Sequence, residues 1–351
     1  MKTFLLYGSY GYTGRLIAEQ AIREGLRPVL AGRNPGRLRV QAERLGLPYR
    51  AFPLEDAAAL DSALLDVEAV LHCAGPFVHT FRRMAEACLR TGRHYVDISG
   101  EIDGFEALAT LGGQAKQAGI VLLPGAGFDV VPSDCLAAHL KRRLPEAARL
   151  RLFIRGLGAG FSRGTARSAI ENMHRQGRIR RAGQIVQVPP AWQVLERAFG
   201  GGPARFVSIG WGDVSTAYYS TGIPDIETYM ALPPLAIGAL RLSRRMGSLV
   251  YSSPVKFLLR QFLNFLRAGP PPERRARGLA IMVGEAEDAR GNRAVTSLKT
   301  PEGYGLTALT SVEIMKRILA GNPGPGFQTP SRAFGPDFIL DFPTVTRLDI
   351  E

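Results

Sequence analysis

Three glycines at equal spacing, Gly8, Gly11 and Gly14, follow the apolar run Thr3–Tyr7 near the N-terminus. A helical pattern begins at Thr13, with Ile17, Ala18, Ala21 and Ile22 on one side. The turn therefore joins a buried parallel strand to a helix. In that setting Gly8 permits a tight turn, Gly11 lets backbone approach a ligand, and Gly14 lets the helix sit close to the sheet. The N–H groups and positive dipole end of the helix suit a diphosphate. We therefore expect a dinucleotide to lie along Gly8, Ser9, Tyr10, Gly11, Tyr12, Thr13 and Gly14, with the Ser9 and Thr13 hydroxyls as further donors. A turn that needs glycine only for its shape would show the same spacing; the strand and helix on either side select the nucleotide.

The end of the second strand chooses between cofactors. An NAD enzyme places Asp or Glu there to accept from the ribose 2′-hydroxyl. This chain has Gly32-Arg33-Asn34 and no acid nearby. A guanidinium at Arg33 makes charge-assisted hydrogen bonds to a 2′-phosphate, so the expected cofactor is NADP(H) rather than NAD(H), with Asn34 beside it. After the fourth strand comes Ala74-Gly75-Pro76-Phe77, whose small residues allow cofactor approach and whose phenyl ring either packs on the nicotinamide or closes the pocket. The fifth strand ends in Asp97-Ile98-Ser99-Gly100-Glu101 and the sixth in Gly125-Ala126-Gly127-Phe128-Asp129, both on the edge where open α/β sheets bind ligands.

Hydride transfer to a carbonyl, imine or conjugated alkene leaves charge that a proton donor must neutralise. No tyrosine has lysine four residues on, which argues against the Tyr-x-x-x-Lys arrangement of short-chain dehydrogenases. The candidates are Asp97, Glu101, Asp129 and Asp134, with Tyr218 and Tyr219 from further along. Asp129 ranks first because its loop points to the nicotinamide side; Asp134 reads as a helix cap and Asp97 as a tie between loops.

The elements that must hold these residues alternate. Strands are expected at Thr3–Tyr7, Pro28–Ala31, Tyr49–Phe52, Ala69–Cys73, His94–Ile98 and Ile120–Leu123, with helices between, including one over Ile102–Ala118. Asn34-Pro35 starts a helix with a cap and a proline at its first position. Six such strands make a doubly wound parallel sheet of the Rossmann type. After Pro132 the pattern changes. Helices are expected at Ser133–Arg143, near Thr165–His174 and at Leu306–Leu319. Strands are expected at Arg149–Ile154, Phe206–Gly210 and Thr216–Thr221, and antiparallel strands over 279–300. The expected division is a dinucleotide-binding domain over 1–131 and an α+β substrate and dimerisation domain with an antiparallel sheet over 132–305. The 306–319 helix and the Pro/Gly-rich tail are expected to return to the first domain.

A chain of 351 residues, 46% hydrophobic and 21% charged, is large enough for two domains with sizeable cores. Three cysteines, Cys73, Cys88 and Cys135, lie among apolar neighbours and read as buried thiols of a reducing, cytoplasmic compartment. The five histidines lack metal spacing, so no metal site is expected. Between Leu232 and Arg277 nine bases face one acid, so this segment holds eight of the thirteen net positive charges. In Val255–Arg267, Lys256, Arg260, Asn264 and Arg267 form one helical stripe against phenylalanine and leucine. Such a helix packs within the second domain, lines a dimer interface, lids an acyl substrate or contacts an anionic membrane peripherally. Bases alternating with aliphatics fit nucleic acid poorly.

Taken together, Gly8–Gly14 with Arg15-Leu16, Leu30–Asn34, Ala74–Phe77, Tyr95–Glu101 and Gly127–Asp134 resemble the saccharopine dehydrogenase-like oxidoreductases, a group that includes trans-acting enoyl reductases. Thr216–Met230 and Gly326–Ser331 also resemble that group. The resemblance implies a Rossmann domain, an α/β domain with an antiparallel sheet, a cleft between them, and a homodimer. It fixes the cofactor class better than the substrate. No α-amino-acid recognition set is evident, which argues against lysine-pathway chemistry. The expected function is NADP-dependent hydride transfer to or from a carbonyl, imine or activated alkene on a small-molecule substrate, with acyl, lipid or polyketide-like compounds among the candidates. The rival is a catalytically silent nucleotide-binding regulatory or membrane-associated protein.

Overall fold

The computed structural model describes residues 3–351 apart from 159, 161, 173–176, 200–201, 247–253, 256, 258–260 and 262–267. It divides into two compact units. The first comprises Met1–Val131 and Tyr304–Phe334, the second Pro132–Gly303 and Gly335–Glu351.

The first unit is built on short apolar strands. β1 (Phe4–Tyr7), β2 (Val29–Gly32) and β4 (Ala69–His72) are buried at every residue, as strands covered on both faces must be. With β3 (Tyr49–Ala51), β5 (His94–Asp97) and β6 (Val121–Leu123) they form a parallel sheet in the order β6-β5-β4-β1-β2-β3, the expected doubly wound arrangement. A seventh strand, β15 (Gly326–Phe327), comes from the C-terminal tail and pairs with β6. Helix α1 (Tyr12–Arg23) follows β1. Helix α2 (Pro35–Leu45) is capped by Asn34, whose side chain accepts from the Arg37 N–H at 2.9 Å, and closed by Gly46 in the left-handed region. In the Phe81–Thr91 helix Phe81, Met84, Ala85 and Cys88 are buried, the spacing of a stripe laid on a sheet.

One expected helix is broken. Ile102–Ala118 splits into Ile102–Thr110 and Gly112–Gln117, and a Cβ at Gly112 would stand 3.0 Å from the Phe327 side chain. The incoming β15 needs that gap. The Gly303–Leu319 helix also packs in this unit, where its Thr310 hydroxyl donates to the Ala126 carbonyl at 2.8 Å.

The second unit holds a mixed sheet. Its strands are β7 (Ala147–Leu157), β8 (Gly177–Arg181), β9 (Gln184–Val188), β10 (Val194–Ala198), β11 (Pro203–Ile209), β12 (Asp225–Ala231), β13 (Leu279–Asp288), β14 (Arg293–Pro301) and β16 (Thr346–Asp349). The order is β10-β11-β12-β7-β13-β14-β16, with β8 attached to β12 and β9 to β8. β7 pairs parallel with β12 and antiparallel with β13. The Val131–Arg143 helix lies against one face, where Gly284 leaves room for Leu140 and Leu136. On the other face Phe153 stacks on Tyr229 at 5.0 Å beside Phe206, Val283 and Val295.

Thr216–Thr221, expected as a strand, lies inside the Asp213–Thr221 helix. Its hydroxyls turn back onto the preceding turn, as in the 3.0 Å bond from Ser220 to the Thr216 carbonyl, so β-forming residues are accommodated in a buried helix. The helix expected over Val255–Arg267 lies largely outside the described residues. Among the described residues no helix is long and apolar enough to cross a membrane, and no three His, Cys, Asp or Glu side chains form a group that could hold a metal.

Candidate functional site

The carboxyl edge of the parallel sheet gathers the loops after β1, β4, β5 and β6. Gly8 has φ +83° and a Cβ there would meet the Ala74 nitrogen at 2.9 Å, so both its conformation and its space exclude a side chain. Gly14 is tighter still: a Cβ would stand 2.4 Å from the Gly8 carbonyl oxygen, which brings α1 down onto the turn. Gly11 precedes α1 in extended conformation, no side chain caps the helix, and its first turn holds no acid. A backbone cradle that side chains would fill, opening on the positive end of a helix, fits a dinucleotide diphosphate.

The Ser9 hydroxyl does not serve that cradle. It is buried and donates to Gln41 Oε1 at 2.9 Å, while Gln41 Nε2 returns a bond to the Ser9 carbonyl at 3.0 Å. The Ser9 N–H also turns inward, to the Ala31 carbonyl at 3.3 Å, so Ser9 shapes the turn from within. Thr13 is half-buried in the first turn of α1. Tyr10 lies across the end of β2, where a Cβ on Gly32 would be 2.7 Å from its ring. Arg33 and Asn34 follow in exposed positions.

The loop after β4 is held from beneath and from the side. Thr80 Oγ1 donates to the Ala74 carbonyl at 2.8 Å and pairs with His72 Nε2 at 2.9 Å. His72 is fully buried, and burial pushes its imidazole down to about 3, so it is neutral at physiological pH. The Phe77 ring stands edge-on to it at 5.4 Å, and the Phe77 N–H donates to Glu101 Oε1 at 3.1 Å. Gly75-Pro76 is a cis peptide. The sequence pointed to Ala74–Phe77 but not to Thr80 or His72, whose parts emerge only once the loop is folded over them.

Among the carboxylates, Asp97 is a tie. It is buried and accepts from the Tyr95 hydroxyl at 2.6 Å, the Ser99 N–H and hydroxyl, and the Gly125 N–H at 2.9 Å. Asp129 lies in the loop after β6. Its carboxyl lies against Gly100, where a Cβ would be 3.0 Å from Oδ2, and burial raises it to about 6. The loop that carries it is braced by the Gly303–Leu319 helix: Thr307 Oγ1 accepts from the Phe128 N–H at 3.0 Å, and Tyr304 sets its ring edge-on to Tyr12 at 5.1 Å. Residues 12, 128 and 304 are thus neighbours on this edge, a placement that local pattern gives no sign of.

Asp134, Tyr218 and Tyr219 belong to the second unit. Asp134 sits in the first turn of the Val131–Arg143 helix and accepts from the Ser220 hydroxyl, while Ser133 donates to Asp213 at 2.8 Å. The Tyr218 ring carries the Arg180 guanidinium at 4.2 Å.

This architecture is that of a dinucleotide-binding protein. Residues 4–123 match the family model of the saccharopine dehydrogenase NADP-binding domain. A trans-acting enoyl reductase of Mycobacterium leprae is 36% identical over 150 residues, 40% of this chain and 36% of that protein. A saccharopine dehydrogenase-like oxidoreductase of Homo sapiens is 26% identical over 211 residues, 53% of this chain and 49% of that protein. These matches span no more than half the length of either relative. Saccharopine dehydrogenase (L-Glu forming) from Saccharomyces cerevisiae has the same fold over the full length of both chains, with TM-score 0.69 at 15% identity. Residues 4–123 thus carry a saccharopine dehydrogenase-type NADP-binding domain, and the whole chain shares the fold of the yeast enzyme.

Proposed function

We propose that the protein is an NADP-dependent oxidoreductase that transfers hydride to or from a carbonyl, imine or activated alkene. The observation that carries the reading is the glycine cradle of Gly8–Gly14 sharing one sheet edge with a shielded carboxyl, Asp129. When bound, the reduced nicotinamide supplies the hydride. The chain supplies the rest: main-chain N–H groups hold the diphosphate, Arg33 holds the 2′-phosphate, and the Ala74–Phe77 loop faces the nicotinamide. Asp129, with its carboxyl raised to about 6, holds a proton for the atom that gains charge. The enoyl reductase name of the mycobacterial relatives favours an activated alkene on an acyl, lipid or polyketide-like substrate.

In the same reading the protein is cytoplasmic and a homodimer, and the second unit provides substrate binding and dimerisation. The amphipathic stretch Val255–Arg267 makes peripheral contact with anionic membranes through its basic stripe. Flotation on anionic but not neutral liposomes, and sedimentation at twice the mass of one chain, are the results expected.

The test of the activity is oxidation of NADPH against a panel of enoyl, imine and carbonyl compounds. Asp129→Asn is expected to lower turnover about a hundredfold with NADPH affinity intact. Unchanged turnover would remove Asp129 from the chemistry. Nucleotide binding with no turnover on any compound would overturn the enzyme in favour of a silent nucleotide-binding protein.

A further inference from the structure

We propose that Arg37, carried on the face of the Tyr10 ring, is the second cation of the adenosine 2′-phosphate site beside Arg33. The inference rests on the NADP reading above and assigns the residues that discriminate NADP from NAD. The Asn34 side-chain oxygen accepts from the Arg37 N–H, which fixes the start of α2 and so the position from which Arg37 departs. One helical turn on, the Arg37 guanidinium lies over the Tyr10 ring, 4.6 Å from its centroid. Tyr10 can lie there only because residue 32 is glycine, since a Cβ would come within 2.7 Å of the ring. Tyr10, Gly32 and Arg37 are therefore one stack, placed where the second strand ends and where a Rossmann fold presents the adenosine ribose.

Charge balance on this helix singles out the same residue. Arg39 faces Glu43 at 4.0 Å and Arg44 bonds Glu19 at 2.9 Å. Glu55, the acid within electrostatic reach of Tyr7 along with Arg33, has Arg83 at 3.9 Å. Among the described residues neither Arg33 nor Arg37 has an acidic partner, and both are exposed. A guanidinium stacked on an aromatic face keeps its N–H groups directed outward in its own plane, so the ring orders the cation without using its donors. Two such forks suit the three oxygens of a phosphate monoester, and neither has a role against a bare ribose hydroxyl.

Calorimetric titration of the full chain with NADPH, NADH and 2′,5′-ADP tests this. Arg37→Ala is expected to weaken NADPH and 2′,5′-ADP about tenfold and NADH less than about twofold. Tyr10→Leu is expected to produce the same selective loss at about threefold, and Arg37→Lys to recover part of the affinity. Asn34→Ser, which keeps a cap, is expected to leave the NADPH preference intact. Equal loss for NADPH and NADH in Arg37→Ala, or no loss for either while Arg33→Ala abolishes the preference, would overturn the proposal and leave the nucleotide reading standing. A wild-type chain that binds neither nucleotide would instead overturn that reading.

Discussion

At the carboxyl edge of the parallel sheet burial sets the protonation of several titratable side chains, whereas on the mixed sheet such side chains stand in opposed rows of acid and base. His72 and Asp129 are both pushed by burial toward their neutral forms, and burial raises the Tyr95 hydroxyl as well. On the mixed sheet Arg151 and Arg181 flank Glu227 at 3.6 and 2.7 Å, Arg197 and Arg293 flank Glu285, and Arg149 meets Glu287 at 3.2 Å. The cross-strand register puts Arg151 opposite both Glu227 and Glu285. In one region burial disfavours charge; in the other charge is cancelled between neighbouring strands. The paired rows hold strands in register, and the buried groups mark the edge as the candidate for the proposed chemistry.

The comparison breaks most visibly if the cradle is filled. Gly14→Leu puts a Cβ 2.4 Å from the Gly8 oxygen, so the helix must lift from the turn. We expect a loss of NADPH affinity of about a hundredfold, measured by calorimetry, because the diphosphate donors move with the helix. Affinity within threefold of wild type would mean that the turn does not hold the phosphates.

The opposite region should respond in stability and not in binding. Glu227 is nearly fully buried and also accepts from the Tyr229 hydroxyl. Glu227→Ala leaves Arg151 and Arg181 facing each other without their acid. A cost of about 3 kcal/mol in denaturant unfolding is expected, with the NADPH dissociation constant unchanged. A stable variant with weakened NADPH binding would show that the two regions are not as distinct as their charge patterns suggest.

How far each region was legible in the sequence follows from the same physics. β1, β2 and β4 could be read as uninterrupted apolar runs because both their faces are covered. The Asn34-Pro35 start of α2 is a local signal with a local cause. Thr216–Thr221 was not legible, since β-branched and aromatic residues normally mark a strand and only burial with back-bonded hydroxyls makes them helical. β15 has two residues and no periodicity, and Gly112 reveals its purpose only against Phe327. Of the candidate site, Gly8–Gly14 and Arg33 could be nominated by position along the chain. The inward turn of Ser9 and the shielding of Asp129 depend on Gln41 and Gly100, residues that come close only in the folded unit.

The smallest expected effect concerns the sign of what Asp129 does to stability. Its folded pKa of about 6 lies above the ordinary 3.8, so between those values the folded chain binds more protons than the unfolded one. Stability is then complete below about pH 4 and falls as pH rises toward 6, the reverse of an ion-paired aspartate such as Asp337, held low by Arg142 and Arg347. Asp129→Asn removes the cost of burying a charge, so at pH 7.5 the variant is expected to unfold about 2–4 °C above wild type, a gain of about 1 kcal/mol. At pH 4 the two melting temperatures should coincide. A variant less stable at both pH values would mean that the contacts of the carboxylate outweigh the cost of burying its charge, and burial would not be what sets its behaviour on this sheet edge.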